Sequence, residues 1–237
     1  MKILLSPAKQ MRVSHDVYAK ESTPRFLKQA LQLTQRLAQM DYSQYKEVMK
    51  CSDRIARPMY ESLSGFLAQE QTTPAILAYS GIQYQYMAPD VFTDRQIKYV
   101  QDHVRILSGV YGILRPLDAV SIYRLEMQAK LPDSLYDFWG SSLADTLEEP
   151  ILNLASEEYA KCIRKYKPVI DVRFCQNEGG KLKEKGVYAK MARGRMVRFM
   201  AEEQILEIPN IRAFTDLNYH FSPEDSTETL YTFIQKK

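Results

Sequence analysis

Short apolar runs recur along the whole chain, and segments with helical periodicity separate them. Apolar runs of about four to eight residues between turn signals are typical of buried strands. On this basis we predict strands at 2–6, 75–80, 105–109, 150–154, 168–174, 185–190 and 228–234. The runs do not follow a strict strand–helix–strand repeat. The pattern therefore predicts an α/β (mixed α+β) fold, with a central mixed sheet and flanking helices.

The segments between the strands carry apolar residues at helical spacing. Thr23-Pro24 is a typical helix start, because threonine caps the first turn and proline suits its first position. Thr93 is a second candidate cap. We predict helices over 24–38, 41–50, 52–69, 93–104, 156–166 and 190–206.

The chain has 237 residues and no repeat, low-complexity segment or long linker. This predicts a single domain over 1–237. No apolar run approaches the roughly 18 residues that a membrane span needs. The start, Met1-Lys2 followed by only three apolar residues and Ser-Pro, is unlike a signal peptide. We therefore expect a cytoplasmic protein that does not contact membranes.

Candidate metal ligands are few and scattered. The cysteines are Cys51, Cys162 and Cys175, and the histidines are His15, His103 and His220. Their spacings match no zinc pattern, so the sequence predicts reduced thiols, no metal site and no cofactor. Two weaker alternatives are direct iron binding and a redox-sensing Cys162, whose basic neighbours Lys161, Arg164 and Lys165 would lower its pKa.

The first strand ends in Ser6-Pro7-Ala8-Lys9. Ser-x-x-Lys is the nucleophile motif of penicillin-binding proteins. That interpretation is disfavoured because no Lys-Thr-Gly occurs, and because Ser52-Asp53 is followed by Arg54 rather than by asparagine. The alternative is a strand-end loop that brings Ser6 and Lys9 to a ligand crevice, where a lysine suits phosphate or carboxylate.

Two central motifs are rich in turn and charged residues. In LSGVYGILRPLD (107–118) two glycines bracket a turn that would let backbone N–H groups approach a phosphate. The turn loosely resembles a helix–hairpin–helix element, although a purely structural turn is the alternative. YRLEM (123–127) alternates like a strand and places Arg124 and Glu126 on one side. These two residues would line a site or form a surface ion pair.

Positive charge is concentrated near the C-terminal third. Residues 161–198 hold twelve Lys/Arg and three Asp/Glu, a formal charge of +9, against +3 for the whole chain. Such a block is either a footprint for a polyanion or a solvated basic surface. On a helix, Lys190 and Arg193 lie one turn apart beside Gly194. Arg195 falls on the apolar face, so it needs an acidic partner or points into a site.

Six motifs occur in a characteristic order: SPAK, LSGVYGILRPLD, YRLEM, FWG (138–140), NLASEEY (153–159) and YAKMARG (188–194). Together they resemble the YaaA peroxide-stress protein family. The chain departs from the family at 80–84, SGIQY, where Lys-Gly-Asp-Val-Tyr is frequent. The resemblance implies a cytoplasmic protein of the hydrogen-peroxide response that limits free iron. It also implies DNA binding, with a helix–hairpin–helix-like element and a positively charged cleft. It brings no established reaction.

Two functional hypotheses remain open. In the first, the protein binds duplex or single-stranded DNA without sequence specificity. Its phosphate contacts would be Lys9, Arg115, Lys190, Arg193 and Arg195, and its stacking residues would be Tyr111 and Tyr123.

In the second hypothesis, the same cleft holds a small anionic or nucleotide-like substrate of an enzyme, since carboxylates serve acid–base chemistry. Its polar residues would be Ser6, Lys9, Arg124, Glu126, Asn153, Ser156 and Glu157. No catalytic residue is assigned, and a deep, narrow cleft would favour the second hypothesis.

Overall fold

The computed structural model describes residues 1–14, 22–67 and 73–236. Its strands are β1 (Lys2–Leu5), β2 (Gln10–Met11), β3 (Thr73–Pro74), β4 (Tyr79–Ser80), β5 (Val104–Ser108), β6 (Gly112–Leu114), β7 (Ala119–Val120), β8 (Ile151–Asn153), β9 (Ile170–Glu178), β10 (Lys181–Lys183), β11 (Tyr219–Phe221) and β12 (Leu230–Gln235). Its α-helices are α1 (Leu27–Ala38), α2 (Tyr42–Met49), α3 (Asp53–Glu61), α4 (Leu63–Leu67), α5 (Ala75–Ala78), α6 (Ile82–Met87), α7 (Asp94–His103), α8 (Leu135–Trp139), α9 (Glu157–Arg164) and α10 (Gly186–Glu202). Short 3-10 helices lie at Pro89–Val91, Ala144–Thr146, Ile208–Ala213 and Asp216–Asn218.

An eight-stranded mixed sheet forms the centre of the molecule, in the order β11-β12-β9-β8-β1-β5-β6, with β10 paired to β9. The five inner strands β12, β9, β8, β1 and β5 are parallel, whereas β6, β10 and β11 pair antiparallel. The predicted mixed α/β class is confirmed. Strand β1 lies inside the sheet, and its residues Ile3, Leu4 and Leu5 are fully buried. Such continuous apolar strands are typical of parallel sheets covered on both faces.

Parallel strands end at the same edge of a sheet, so the segments that follow them lie close together. Leu4 of β1 pairs with Asn153 of β8. The loop that starts at Ser6 therefore lies beside the start of α9. The Asn153 side chain shapes this turn, because its Oδ1 accepts from the Ala155 N–H (2.9 Å). This edge carries the candidate site.

Helix α10 packs across α6, and the two backbones meet at Gly194. A Cβ atom on Gly194 would lie 2.1 Å from the carbonyl oxygen of Gln83 and 3.0 Å from the backbone nitrogen of Met87. Only glycine allows this approach. It brings Gln83 of α6 next to Arg193 of α10, at the edge of the sheet described above.

Most of the predicted elements are present. The strands predicted at 2–6, 105–109, 150–154, 168–174 and 228–234 are β1, β5, β8, β9 and β12. Thr93 caps α7 in a full capping box with Gln96, as its position indicated. Thr23 does not cap α1, which begins after Phe26. His15 and the last two residues of the predicted helix 52–69 lie outside the described residues.

Three element predictions are wrong. Residues 75–80 form mainly helix α5, because a short run that is apolar throughout suits a buried helix as well as a buried strand. Residues 185–190 open α10 instead of forming a strand. Residues 123–127 are irregular, and the backbone of Leu125 packs against Gly109, where a Cβ would lie 2.3 Å from the Leu125 oxygen. The alternating apolar and charged residues of this segment follow the alternation of buried and less buried positions, although the segment pairs with no strand.

The glycine turn of 107–118 joins two strands. Ser108 of β5 pairs with Gly112 of β6, and the Ser108 hydroxyl accepts from the Tyr111 N–H (2.8 Å). The turn is therefore part of a β-hairpin and not of a helix–hairpin–helix element. Among the described helices, none is both long enough and apolar enough to span a bilayer.

Candidate functional site

A cavity of about 490 Å³ opens at the C-terminal edge of the parallel strands. Its walls come from the loop after β1, the start of α6, the irregular segment 123–126, the first turn of α9 and one face of α10. The polar side chains that line it are Ser6, Lys9, Gln10, Ser80, Gln83, Tyr84, Tyr123, Arg124, Glu126, Ser156, Glu158, Tyr159, Lys190 and Arg193. Its position agrees with the general tendency of open α/β sheets to bind ligands where parallel strands end.

The floor of the cavity is held by hydrogen bonds between the loop after β1 and its neighbours. The Ser6 hydroxyl accepts from the Ser156 backbone N–H (2.8 Å) and donates to the Ser156 hydroxyl (3.2 Å). The Tyr84 hydroxyl donates to the Ser6 carbonyl oxygen (2.9 Å). Ser6 thus fixes the loop to the start of α9, and it has the environment of a positioning residue rather than of an activated nucleophile.

Glu126 lies between two cations on one wall. Its Oε2 is 2.9 Å from Lys9 Nζ, and its Oε1 is 3.3 Å from Arg124 Nη2. Arg124 also donates from Nη1 to the Lys9 carbonyl oxygen (3.3 Å). The Lys9 side chain is 66% exposed and lies at the mouth, whereas that of Arg124 is 11% exposed and lies in the wall.

Three buried N–H donors of this cavity have no hydrogen-bond partner among the described residues. They are Gln83 Nε2, Arg124 Nε and Arg193 Nε. Leaving a buried donor unpaired costs about 1–3 kcal/mol, and more for a charged group. Buried polar groups of folded proteins are almost always paired, so three such donors at one cavity need an explanation. A ligand rich in hydrogen-bond acceptors would satisfy all three.

The arginine on α10 is held in the cavity by one carboxylate. Arg193 Nη2 lies 2.9 Å from Glu184 Oε1, and its side chain is only 13% exposed. Burial lowers the pKa of the Arg193 guanidinium, while Glu184 and Asp171 oppose that shift. The group stays charged, since an arginine does not lose its proton in proteins. Lys190 lies one turn earlier and is exposed at the mouth.

The second carboxylate of the cavity is Glu158, in the first turn of α9. Burial raises the pKa of Glu158, and the negative charge of Glu126 adds to that shift. The N–H of Gln128 donates to Glu158 Oε1 (3.3 Å) and partly offsets it. Its neighbour Glu157, which was predicted for the site, is exposed and pairs with Arg164 away from the cavity. Successive helical residues point about 100° apart, so only the register of α9 distinguishes the two.

Comparison with known proteins agrees with the motifs. The family model described as Peroxide stress protein YaaA matches residues 1–225, which include every wall of the cavity. The chain belongs to this family. The UPF0246 protein of Lactiplantibacillus plantarum is 46% identical over 245 residues, covering 99% of each chain. That of Lachnoclostridium phytofermentans is 45% identical over 99% of this chain and 96% of its own. That of Lacticaseibacillus casei is 44% identical over the whole of both chains.

In this YaaA family member, seven of the ten residues predicted for the site lie around one cavity: Ser6, Lys9, Tyr123, Arg124, Glu126, Lys190 and Arg193. The hydroxyl of Tyr123 lies 2.6 Å from those of Tyr79 and Ser108, and burial raises its pKa to about 12. Tyr123 is therefore a neutral wall residue whose hydroxyl is already hydrogen-bonded.

The other three predicted residues lie elsewhere. Tyr111 is fully buried, and its hydroxyl accepts from the Ser121 N–H, so its ring has no free face for a base. Arg115 follows β6, which runs away from the cavity, and pairs with the buried Asp118. Arg195 pairs with Asp216 (2.6 Å) beside a separate shallow pocket. This corrects their assignment to a common cleft, because residues 193 and 195 point about 200° apart on a helix.

Six of the twelve basic residues of segment 161–198 form ion pairs with carboxylates. Its ion pairs are Arg164 with Glu157 and Asp171, Lys183 and Lys185 with Glu178, Arg193 with Glu184, Arg195 with Asp216, and Arg198 with Glu202. The unpaired positive charge on the surface of residues 161–198 is therefore smaller than their formal charge of +9. Three of the carboxylate partners, Glu157, Glu202 and Asp216, lie outside residues 161–198. A charge count restricted to that segment does not include them.

Among the described residues, the candidate metal ligands do not cluster, and Cys162 is buried. Within residues 1–14, 22–67 and 73–236, no group of three or more His, Cys, Asp or Glu side chains is arranged to hold a metal ion. Burial raises the pKa of the Cys162 thiol to about 12, which outweighs the effect of Lys161. The redox-sensing interpretation of Cys162 is therefore wrong in its premise, since reactivity needs a thiolate.

Proposed function

We propose that this member of the YaaA family acts in the peroxide stress response by binding a small anionic ligand in the strand-end cavity. The observation that carries this proposal is the set of three unpaired N–H donors on Gln83, Arg124 and Arg193. Two of the three belong to guanidinium groups, which suit the oxygens of phosphate and carboxylate. The volume of about 490 Å³ falls in the usual range of small-molecule sites.

The depth of the donors argues for a small ligand over a polymer. Gln83 is 7% exposed, and the arginine side chains are 11% and 13% exposed. The phosphates of a duplex lie on its outside and are contacted by surface side chains, so they do not reach donors buried to this extent. A free phosphate, a carboxylate metabolite or a mononucleotide would reach them. Because Glu126 and Glu158 line the same cavity, the site also has the groups that an enzyme acting on such a ligand needs.

Calorimetric titration with inorganic phosphate and with adenosine monophosphate tests this proposal. Arg124→Lys keeps the charge but removes the unpaired Nε–H donor. We expect the affinity to fall about 10- to 100-fold, because a hydrogen bond to a charged group contributes about 1.5–3 kcal/mol. Arg36→Lys is the matched control, since Arg36 forms a half-exposed ion pair with Asp133 away from the cavity. Absence of binding by both probes at millimolar concentration, or equal affinities for the wild type and Arg124→Lys, would contradict the proposal.

DNA is the second candidate ligand, and two exposed lysines favour it. Lys9 and Lys190 both lie at the mouth of the cavity, where a backbone phosphate could approach without entering. Limitation of iron-dependent damage and a cytoplasmic location are also part of our proposal, on the family resemblance alone.

Fluorescence anisotropy with duplex and single-stranded DNA at several salt concentrations distinguishes the two candidates. If DNA crosses the mouth, Lys190→Ala should reduce the slope of log Kd against log salt by about 1. Lys181→Ala is the control, because Lys181 is also exposed, lies on β10 and does not line the cavity. Equal slopes for the wild type and both variants would remove Lys190 from any DNA contact.

A further inference from the structure

The two carboxylates of the cavity have different environments. Glu126 forms ion pairs with Lys9 and Arg124. Among the described residues, the side chain of Glu158 has no ion pair, and its hydrogen bonds come from the backbone N–H groups of Gln128 and Met127. Pairs of titratable groups whose surroundings differ in this way are typical of acid–base sites.

Titratable groups from four parts of the chain interact with Glu158. These groups are Lys9 in the loop after β1, Glu126 in the segment 123–126, Tyr136 in α8, and Tyr159 and Cys162 in α9. The Tyr136 hydroxyl donates to the backbone oxygen of Glu158 and leaves the carboxyl free. Burial raises the pKa values of both tyrosines and of the cysteine, so these three are neutral near pH 7. Lys9 and Glu126 already pair with each other.

An anion held by the unpaired donors of Arg124, Arg193 and Gln83 would bring a further negative charge into the same cavity. Like charges disfavour the ionised form of a carboxyl group. Occupation of the cavity should therefore drive Glu158 toward its protonated form. A protonated carboxyl has an O–H that can donate to the anion, whereas the carboxylate would repel it.

We propose that Glu158 is the acid–base group of this cavity, which takes up one proton from water as a small oxyanion binds and presents that proton to the anion. The ligand class that this geometry fits is a phosphate or carboxylate compound with an oxygen that accepts the proton. The only bond made or broken on Glu158 is the O–H bond of its carboxyl group. The inference rests on the proposed function, because it needs the anion in the cavity.

Sulfate is the probe of choice, since it neither gains nor loses protons between about pH 5 and 8. Calorimetry at constant pH in buffers of different ionisation enthalpy measures the protons taken up per sulfate bound. We expect uptake of up to one proton in the wild type, and an affinity that falls by at most about tenfold per pH unit as pH rises through the pKa of Glu158. Glu158→Gln should bind sulfate without uptake, because an amide is neutral like the protonated acid. Glu157→Gln, which changes the exposed neighbour, should keep the wild-type uptake.

The outcomes separate the two proposals. If the wild type binds neither sulfate nor the two probes used above, phosphate and adenosine monophosphate, the proposed function is overturned and this inference with it. Binding of phosphate without binding of sulfate would overturn the role of Glu158 alone. Sulfate binding without proton uptake, or equal uptake by the wild type and Glu158→Gln, would overturn the role of Glu158 alone. Carbon-13 NMR titration of the Glu158 carboxyl group in the wild type is independent of whether the variant folds. Its midpoint should rise on saturation with sulfate and fall in Glu126→Gln, and an unchanged midpoint in both cases would also refute the proposal.

Discussion

Replacement of Gly194 by alanine should lower the free energy of unfolding by about 3 kcal/mol, at the upper end of what overpacking usually costs. The new Cβ would lie 2.1 Å from the carbonyl oxygen of Gln83. Because the three nearest atoms are all backbone atoms of α6, no side-chain rotation can relieve the overlap, and the two helices must separate. That separation outweighs the gain of up to about 1 kcal/mol that alanine brings over glycine inside a helix. Urea denaturation followed by circular dichroism measures the change.

Gly186→Ala is the matched control on the same helix. A Cβ atom on Gly186 would meet nothing within 4 Å. Alanine there should leave stability unchanged or raise it by up to about 1 kcal/mol. If the two substitutions had the same effect, the close crossing of α6 and α10 would not be a determinant of the fold. Since Gln83 lines the cavity beside this crossing, Gly194→Ala should also weaken the binding of phosphate.

Arg193→Gln should reduce the affinity for inorganic phosphate by about 100-fold, because it removes a buried charge and a buried unpaired donor at once. Arg195→Gln should change the affinity less than about twofold. The two variants are closely matched, since each removes one arginine of α10 and one ion pair, with Glu184 in the first case and with Asp216 in the second. Titration calorimetry on both variants measures the difference.

Thermal unfolding of the two arginine variants shows whether each is folded before its affinity is compared. Arg193→Gln leaves Glu184 without its partner, so a modest loss of stability is expected and does not by itself explain a loss of binding. Equal affinities for Arg193→Gln and Arg195→Gln would place the anion away from α10. That result would leave Arg124 as the remaining guanidinium of the cavity.

Local sequence signals predict the elements that depend on neighbouring residues. Thr93 predicts where α7 begins, because a capping side chain bonds within its own first turn, as that of Thr93 does with the Gln96 N–H. The apolar run of β1 predicts a buried strand, because the signal lies entirely within the run itself. The predictions for residues 75–80 and 123–127 are wrong. An apolar or alternating pattern indicates which side chains are buried, but it does not indicate whether a neighbouring strand is present to pair with the segment.

The sequence predicts the mixed α/β class, the five parallel strands of the central sheet and the family, and it names seven residues that line the cavity. The tertiary structure decided which neighbours of those residues share the cavity. Glu158 faces it while Glu157 pairs outside, and Arg193 faces it while Arg195 pairs with Asp216. Neighbouring positions on a helix differ in the direction of their side chains. Which direction faces the cavity depends on contacts between residues that are far apart in the sequence. The crossing at Gly194 and the pairing of β1 with β8 are such contacts, and they set where each side chain ends.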